Sequence, residues 1–156
     1  MIKKIFFLLL ITVWFTPFSY AQLRTHTFEE VEQLSIKEPK PIVVFVHTSW
    51  CKFCKMMEHS TFKNKNVIEE LNAHFYFVSL DAETRSNIWF NEHQFQFKPT
   101  GTTTGIHELA TALATIDGVV SYPTLTVLDS ESTIMFQKNS YLDAKTVLLV
   151  LKQFRD

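Results

Sequence analysis

Ile42-Val43-Val44-Phe45-Val46, followed after three residues by Trp50-Cys51-Lys52-Phe53-Cys54-Lys55, is the stretch that decides the fold. Five apolar residues in a row leave no polar face for solvent, so they predict a strand covered on both sides, at the centre of a sheet. Pro39 and Pro41 stop whatever precedes it. Beyond it, residues 51 to about 59 read as a helix, which places the two cysteines at a helix start just past a strand's carboxyl end.

Working outward, Thr27-Phe28-Glu29-Glu30 matches a capping box, and Phe28, Val31 and Leu34 recur at helical spacing, so a helix is predicted over residues 28–36. Downstream, a second helix is predicted over residues 66–72, with Asn66 as its cap and Val67, Ile68 and Leu71 turned inward. Residues 75–80 are again an apolar strand, ending at Asp81. Helix, strand, helix, strand is the pattern of a right-handed βαβ unit and a parallel sheet. Residues 82–121 are less regular. Residues 91–96 alternate weakly, Lys98-Pro99-Thr100-Gly101 reads as a turn, and Ile106, Leu109, Ala110, Leu113 and Ala114 share one helical face. Residues 97–105 lack the Gly-Lys-Ser/Thr ending of a phosphate loop and read as a spacer. Residues 124–128 and 133–137, joined by Asp129-Ser130-Glu131-Ser132, predict an antiparallel hairpin. Residues 143–154 close the chain as a helix with Val147, Leu148, Leu151 and Phe154 inward. No internal repeat or linker interrupts this order.

Length and composition agree with one folded domain. The chain has 156 residues, 46% hydrophobic and 20% charged, with a net charge of −1. That balance excludes disorder and collagen-like repeats and gives no basic excess for nucleic acid. Two cysteines cannot supply a disulfide framework or a four-thiolate zinc site.

The first 21 residues form a separate object. Lys3 and Lys4 precede eleven residues, Ile5 to Phe15, of which only Thr12 is polar, and Ser19-Tyr20-Ala21 offers small residues at the −3 and −1 positions. This is the layout of a cleaved signal peptide over residues 1–21, with an uncleaved membrane anchor as the alternative. The folded domain, residues 22–156, is then expected outside the cytoplasm. Cleavage takes away two of the 15 basic side chains and none of the 16 acidic ones, leaving a mildly acidic domain.

At a helix N-terminus, free amides and the positive end of the dipole stabilise an anion, and Lys52 and Lys55 add charge. Cys51 is therefore the candidate nucleophile. Cys54, three residues on, lies on the same helical face and is the candidate resolving thiol. Three other uses compete. A disulfide closing a four-residue loop removes only about 2 kcal/mol of chain entropy, a poor staple. Half a zinc site would need two more ligands, and His47 and His59 lack the His-x3-5-His spacing. Two unrelated buried thiols would ignore export to an oxidising compartment. The CxxC inside a βαβ context favours redox exchange.

These residues resemble the thioredoxin-like superfamily. The likeness runs over most of the mature chain: strand, Trp-Cys-x-x-Cys-Lys, helix, strand, then Tyr122-Pro123-Thr124 before a hairpin and a last helix. Its details are similar to secreted thioredoxin-like thiol reductases and to the C-terminal thiol domain of DsbD, supported by Glu58-His59-Ser60-Thr61-Phe62. The resemblance implies an α/β thioredoxin fold, a central mixed sheet flanked by helices, with an insertion before the cis-Pro strand. It implies that Pro123 is cis and faces the CxxC, so that Tyr122 offers its main chain to an extended substrate. Trp50, Tyr122, Pro123 and Thr124 are the implied substrate-binding residues. Two departures stand out. Phe45 occupies the strand position where thioredoxins usually keep a buried Asp, and Lys52-Phe53 replaces Gly-Pro.

Cys51, Cys54 and Glu58 stand at 0, +3 and +7, so Glu58 is a third candidate catalytic residue, a carboxylate able to take the proton of Cys54; the alternative is a solvated helix glutamate. His47, at the strand end, is read either as tuning the thiolate or as simply packed. The expected activity is thiol:disulfide exchange with protein substrates, as a periplasmic reductase, with no cofactor and no metal. A membrane electron donor is implied, no nucleic-acid partner is expected, and a monomer is expected. The alternatives are a non-catalytic binding or assembly module, or an oxidase or isomerase of the same fold.

Overall fold

The computed structural model describes residues 22–155, so the leader assigned to residues 1–21 lies outside the described residues. Helix α1 (Phe28–Lys37) opens on the expected capping box: Thr27 Oγ1 accepts the Glu30 amide at 3.1 Å, and the Glu30 carboxylate accepts the Thr27 amide at 2.9 Å. Strand β1 (Ile42–His47) leads to α2 (Lys52–His59), a 3-10 turn (Thr61–Lys63), α3 (Lys65–His74) and β2 (Tyr76–Asp81). Later come the hairpin strands β3 (Ile88–Phe90) and β4 (His93–Phe95), β5 (Phe97–Pro99) and β6 (Gly105–His107). Helix α4 (Glu108–Ala114), the short pair β7 (Thr115–Ile116) and β8 (Val119–Val120), then β9 (Thr124–Leu128), β10 (Ile134–Lys138) and α5 (Ala144–Phe154) complete the order.

The main sheet runs β10-β9-β1-β2. β1 pairs in parallel with β2, from Ile42↔Tyr76 to His47↔Asp81, and antiparallel with β9, from Ile42↔Leu128 to Val46↔Thr124. The sheet is therefore mixed, with the apolar run of β1 inside it. Alternate residues serve opposite faces, as strand geometry requires. Ile42, Val44 and Val46 join Phe28, Val31, Val78, Leu80 and the α4 residues Leu109 and Leu113. Val43 and Phe45 join Cys51, Cys54, Met57, Val67, Leu71, Val147 and Leu151. So α1 and α4 cover one face, and α2, α3 and α5 cover the other.

Several local expectations are corrected. Helix α3 starts at Lys65, one residue before Asn66, because Asn64 is the cap; its Oδ1 accepts the Asn66 and Val67 amides at 3.0 and 3.3 Å. Ile106 lies on β6, not in a helix; α4 begins at Glu108 behind His107, whose side chain accepts the Leu109 amide. Residues 97–105 are no spacer: Phe97 and Pro99 pair with His107 and Gly105, and the turn falls at Thr100, whose amide donates to the Thr104 carbonyl at 3.0 Å. A Cβ on Gly105 would meet the Phe97 ring and come within 2.5 Å of the Lys98 carbonyl oxygen, so this crossing needs glycine. The β3–β4 hairpin turns at Asn91 and Glu92 (φ 52° and 59°), and β7–β8 turns at Asp117 and Gly118 (φ 52° and 78°). The Asp-Gly pair is a strong two-residue hairpin signal just past the helical spacing that ends at Ala114.

Candidate active site

β1 delivers the chain to the sheet's carboxyl edge, where Thr48 is buried and its carbonyl accepts the Cys51 amide at 3.3 Å. Cys51 then caps α2: its backbone is extended, and its Sγ accepts the Cys54 amide at 3.1 Å. A sulfur thus stands in place of the oxygen that ordinarily caps a helix, against a free amide. Cys51 and Cys54 are joined in a disulfide. Cys51 is 5% exposed and Cys54 0%, so the first sulfur is the one nearer solvent. Among the described residues there are no free cysteines and no group of three or more His, Cys, Asp or Glu placed to hold a metal ion.

The residues preceding Cys51 and Pro123 meet. The Trp50 and Tyr122 rings lie edge to face, with centroids 6.2 Å apart, and the Tyr122-Pro123 peptide is cis. Trp50 is 66% exposed, and its Nε1 donates to Glu83 Oε1 at 3.1 Å. Glu83 was invisible to sequence reasoning, since a contact across 33 positions leaves no local pattern. Tyr122 is partly buried, and its hydroxyl is buried without a hydrogen-bond partner. Burial raises its pKa, and the nearby charges of Glu83 and Asp81 push the same way. Thr124 is fully buried, with Oγ1 donating to the Ser121 carbonyl at 2.7 Å, so its hydroxyl is already engaged. On the outer face of α2, Phe53 and Met56 are exposed, as is Trp50 just before the motif.

Beneath the motif, Phe45 is buried and packs on Phe62 with centroids 4.8 Å apart, so the sheet offers the cysteines an apolar ring at that position. Glu58 is half-buried; its Oε1 lies 3.8 Å from Nδ1 of His47, whose Nε2 is 2.9 Å from Ser79 Oγ. His47 also stacks on Phe45, centroids 5.3 Å apart. The structure therefore joins two residues that the sequence offered as separate candidates.

A family model described as a thioredoxin-like domain matches residues 28–155. A solved structure named DsbH Oxidoreductase is 18% identical, with a TM-score of 0.60, covering 88% of this chain and 87% of that one. The thioredoxin from Thermus thermophilus is 19% identical, with a TM-score of 0.60 and coverage of 85% and 86%. The reduced C-terminal domain of DsbD from Neisseria meningitidis is 16% identical, with a TM-score of 0.54 and coverage of 81% and 92%. At these identities the likeness is one of fold. Spermatogenesis-associated protein 20 of Rattus norvegicus is 40% identical over 52 residues, 33% of this chain; the chain spans only 7% of that protein's length.

Proposed function

The chain belongs to the thioredoxin-like family, and from that premise we propose that it is a thiol:disulfide oxidoreductase acting on proteins, exported and working as a reductase. The observation that carries this reading is the sulfur of Cys51 at the cap of α2, accepting the Cys54 amide. In the reduced protein that amide and the helix dipole favour the Cys51 thiolate. The thiolate attacks a client disulfide, forms a mixed disulfide and expels one client thiolate. Cys54 then attacks Cys51 Sγ, breaks the mixed disulfide and releases the second client sulfur. Two electrons pass to the client and the Cys51–Cys54 disulfide remains. Glu58, one helical turn past Cys54, takes the Cys54 proton, and the departing thiolates are protonated in exchange.

Trp50, Tyr122 and Pro123 form the client surface, with Trp50 as the exposed anchor and the main chain of Tyr122 pairing with an extended client segment; Thr124, also expected there, is fully buried and does not reach a client. Export is supported by the Lys3-Lys4 start, the short apolar run and Ala21. Among the described residues no helix is long and apolar enough to cross a membrane. A reductase in an oxidising periplasm needs electrons from elsewhere, so a membrane-bound dithiol donor is part of the proposal.

A Cys54→Ser variant tests the reading: covalent adducts with client proteins should accumulate through Cys51, and a Cys51→Ser, Cys54→Ser double variant should form none. Failure to trap any client would leave a binding module that uses the same surface. Titration of the pair against glutathione fixes the direction: a potential below that of the compartment supports the reductase, one above it an oxidase.

A further inference from the structure

On the face of β1 that carries the cysteines, Val43 and Phe45 are apolar, so the sheet places no acid directly beneath the motif. The nearest ionisable residue of that strand is His47, and it is held on three sides. Phe45 stacks under its ring, Ser79 Oγ meets Nε2 at 2.9 Å, and Glu58 Oε1 stands 3.8 Å from Nδ1. The last separation is within ion-pair range and too long for a hydrogen bond, so His47 acts on the carboxylate by charge when it carries a proton. The His47 side chain is only 17% exposed and that of Glu58 39%, so the interaction is partly shielded from solvent. Glu58 follows Cys54 by four residues on α2, the spacing that stacks side chains on one helical face.

We propose that His47 is a positioning residue of the exchange reaction: fixed by Ser79 and Phe45, it holds the Glu58 carboxylate one turn beyond Cys54, where that carboxylate meets the proton that Cys54 gives up. This rests on the proposed exchange activity and on Glu58 as its proton acceptor. In the resolving step the Cys54 thiol loses its proton to Glu58. The Cys54 thiolate displaces the client sulfur from Cys51 Sγ, and the departing client thiolate takes up the proton from Glu58. One sulfur–sulfur bond breaks, one forms, and the proton count is unchanged. Two other groups bear on the imidazole. Ser79 faces it from β2, and Asp81 is its register partner there, with Oδ1 already accepting the Glu83 amide at 3.0 Å.

The test is a single-turnover reaction of the reduced full-length mature protein with an aromatic disulfide whose thiolate is coloured. The first burst reports attack by Cys51 and the second reports resolution by Cys54. His47→Gln should leave the first burst unchanged and slow the second by about tenfold near neutral pH, less than the ~10²-fold that a whole general base supplies. His47→Lys, which places a cation at the same position, should restore the rate. Adding Glu58→Gln to His47→Gln should slow resolution no more than Glu58→Gln alone, because the two act in series. Should His47→Gln fail to fold, Ser79→Ala carries the test through the same loss, smaller in size. A second burst with unchanged rate in folded His47→Gln, or one slowed equally in His47→Lys, overturns the role of His47 while leaving exchange intact. Absence of a Cys51-dependent first burst in the wild type would instead overturn the activity itself.

Discussion

Cys51 Sγ lies 3.1 Å from the backbone nitrogen of Cys54, so the first sulfur of the motif is the cap of the helix that carries the second. One residue satisfies an orphan amide at a helix start and is, by the same contact, placed where an anion is most stable. Cys54, on the inner face of α2 beside Met57, has no such exposure to solvent. Any difference in reactivity between the two thiols must come from position, since the residue types are identical.

Alkylation of the reduced protein should reveal that asymmetry. Below pH 8 iodoacetamide should label Cys51 at least about tenfold faster than Cys54, because the unperturbed thiol pKa is about 8.5 and only Cys51 is stabilised as a thiolate. Peptide mapping against pH reads the ratio; equal labelling would remove the basis for calling Cys51 the nucleophile.

Trp50 projects from the motif with its ring against Tyr122 and its indole N–H on Glu83. Trp50→Ala should raise KM for protein clients by about tenfold, the order of a tryptophan contact at an interface. Turnover of a small disulfide should be unaffected. Parallel kinetics with both substrates separate a docking role from a structural one, which would depress both.

The Tyr122 hydroxyl is buried without a partner. Tyr122→Phe should therefore leave stability within about 0.5 kcal/mol of wild type or raise it, since no hydrogen bond is lost. Denaturant unfolding measures this. A loss well above 1 kcal/mol would mean that the hydroxyl is bound in solution.

His107 is buried at the start of α4, its Nδ1 accepting the Leu109 amide at 3.3 Å and its Nε2 3.2 Å from the Ser86 carbonyl. Burial lowers its pKa from the ordinary 6.5, outweighing the Ser86 carbonyl that favours the cation. In the window below 6.5 the unfolded chain binds the proton and the folded one does not. Stability from this group is therefore complete above pH 6.5 and declines as the pH falls below it. His107→Asn, which keeps a capping acceptor but does not titrate there, should flatten that part of a curve of melting temperature against pH. An unchanged slope would assign the pH dependence to other groups.

Gly105→Ala should destabilise the β5–β6 crossing by about 1–3 kcal/mol, the usual range for a forced overpacking. The added methyl group meets the Phe97 ring and the Lys98 carbonyl oxygen, and a carbonyl held in a strand pair cannot step aside. Thermal unfolding reports the loss. If thiol exchange stays normal in that variant, the hairpins serve stability or partner choice and are not needed by the CxxC.

Local pattern alone specified most of the main elements and the place of the CxxC pair between β1 and α2. The all-apolar run of β1, the capping box at Thr27, the inward stripe of α5 and the hairpin of β9 and β10 each follow from neighbours a few positions apart. The same short range located Cys51 at a helix start and Cys54 on the same helical face. Boundaries failed where two signals overlapped: Asn64 and Asn66 both suit a cap, and the apolar spacing of α4 ran on through Ile106 into a strand. What required the folded molecule were the meetings between distant segments. Glu83 reaches Trp50, Tyr122 lies against Trp50, and His47 bridges Glu58 and Ser79. Periodicity reports which face of an element is apolar, whereas these contacts depend on how elements cross, and that is set by the packing of the whole sheet and its helices.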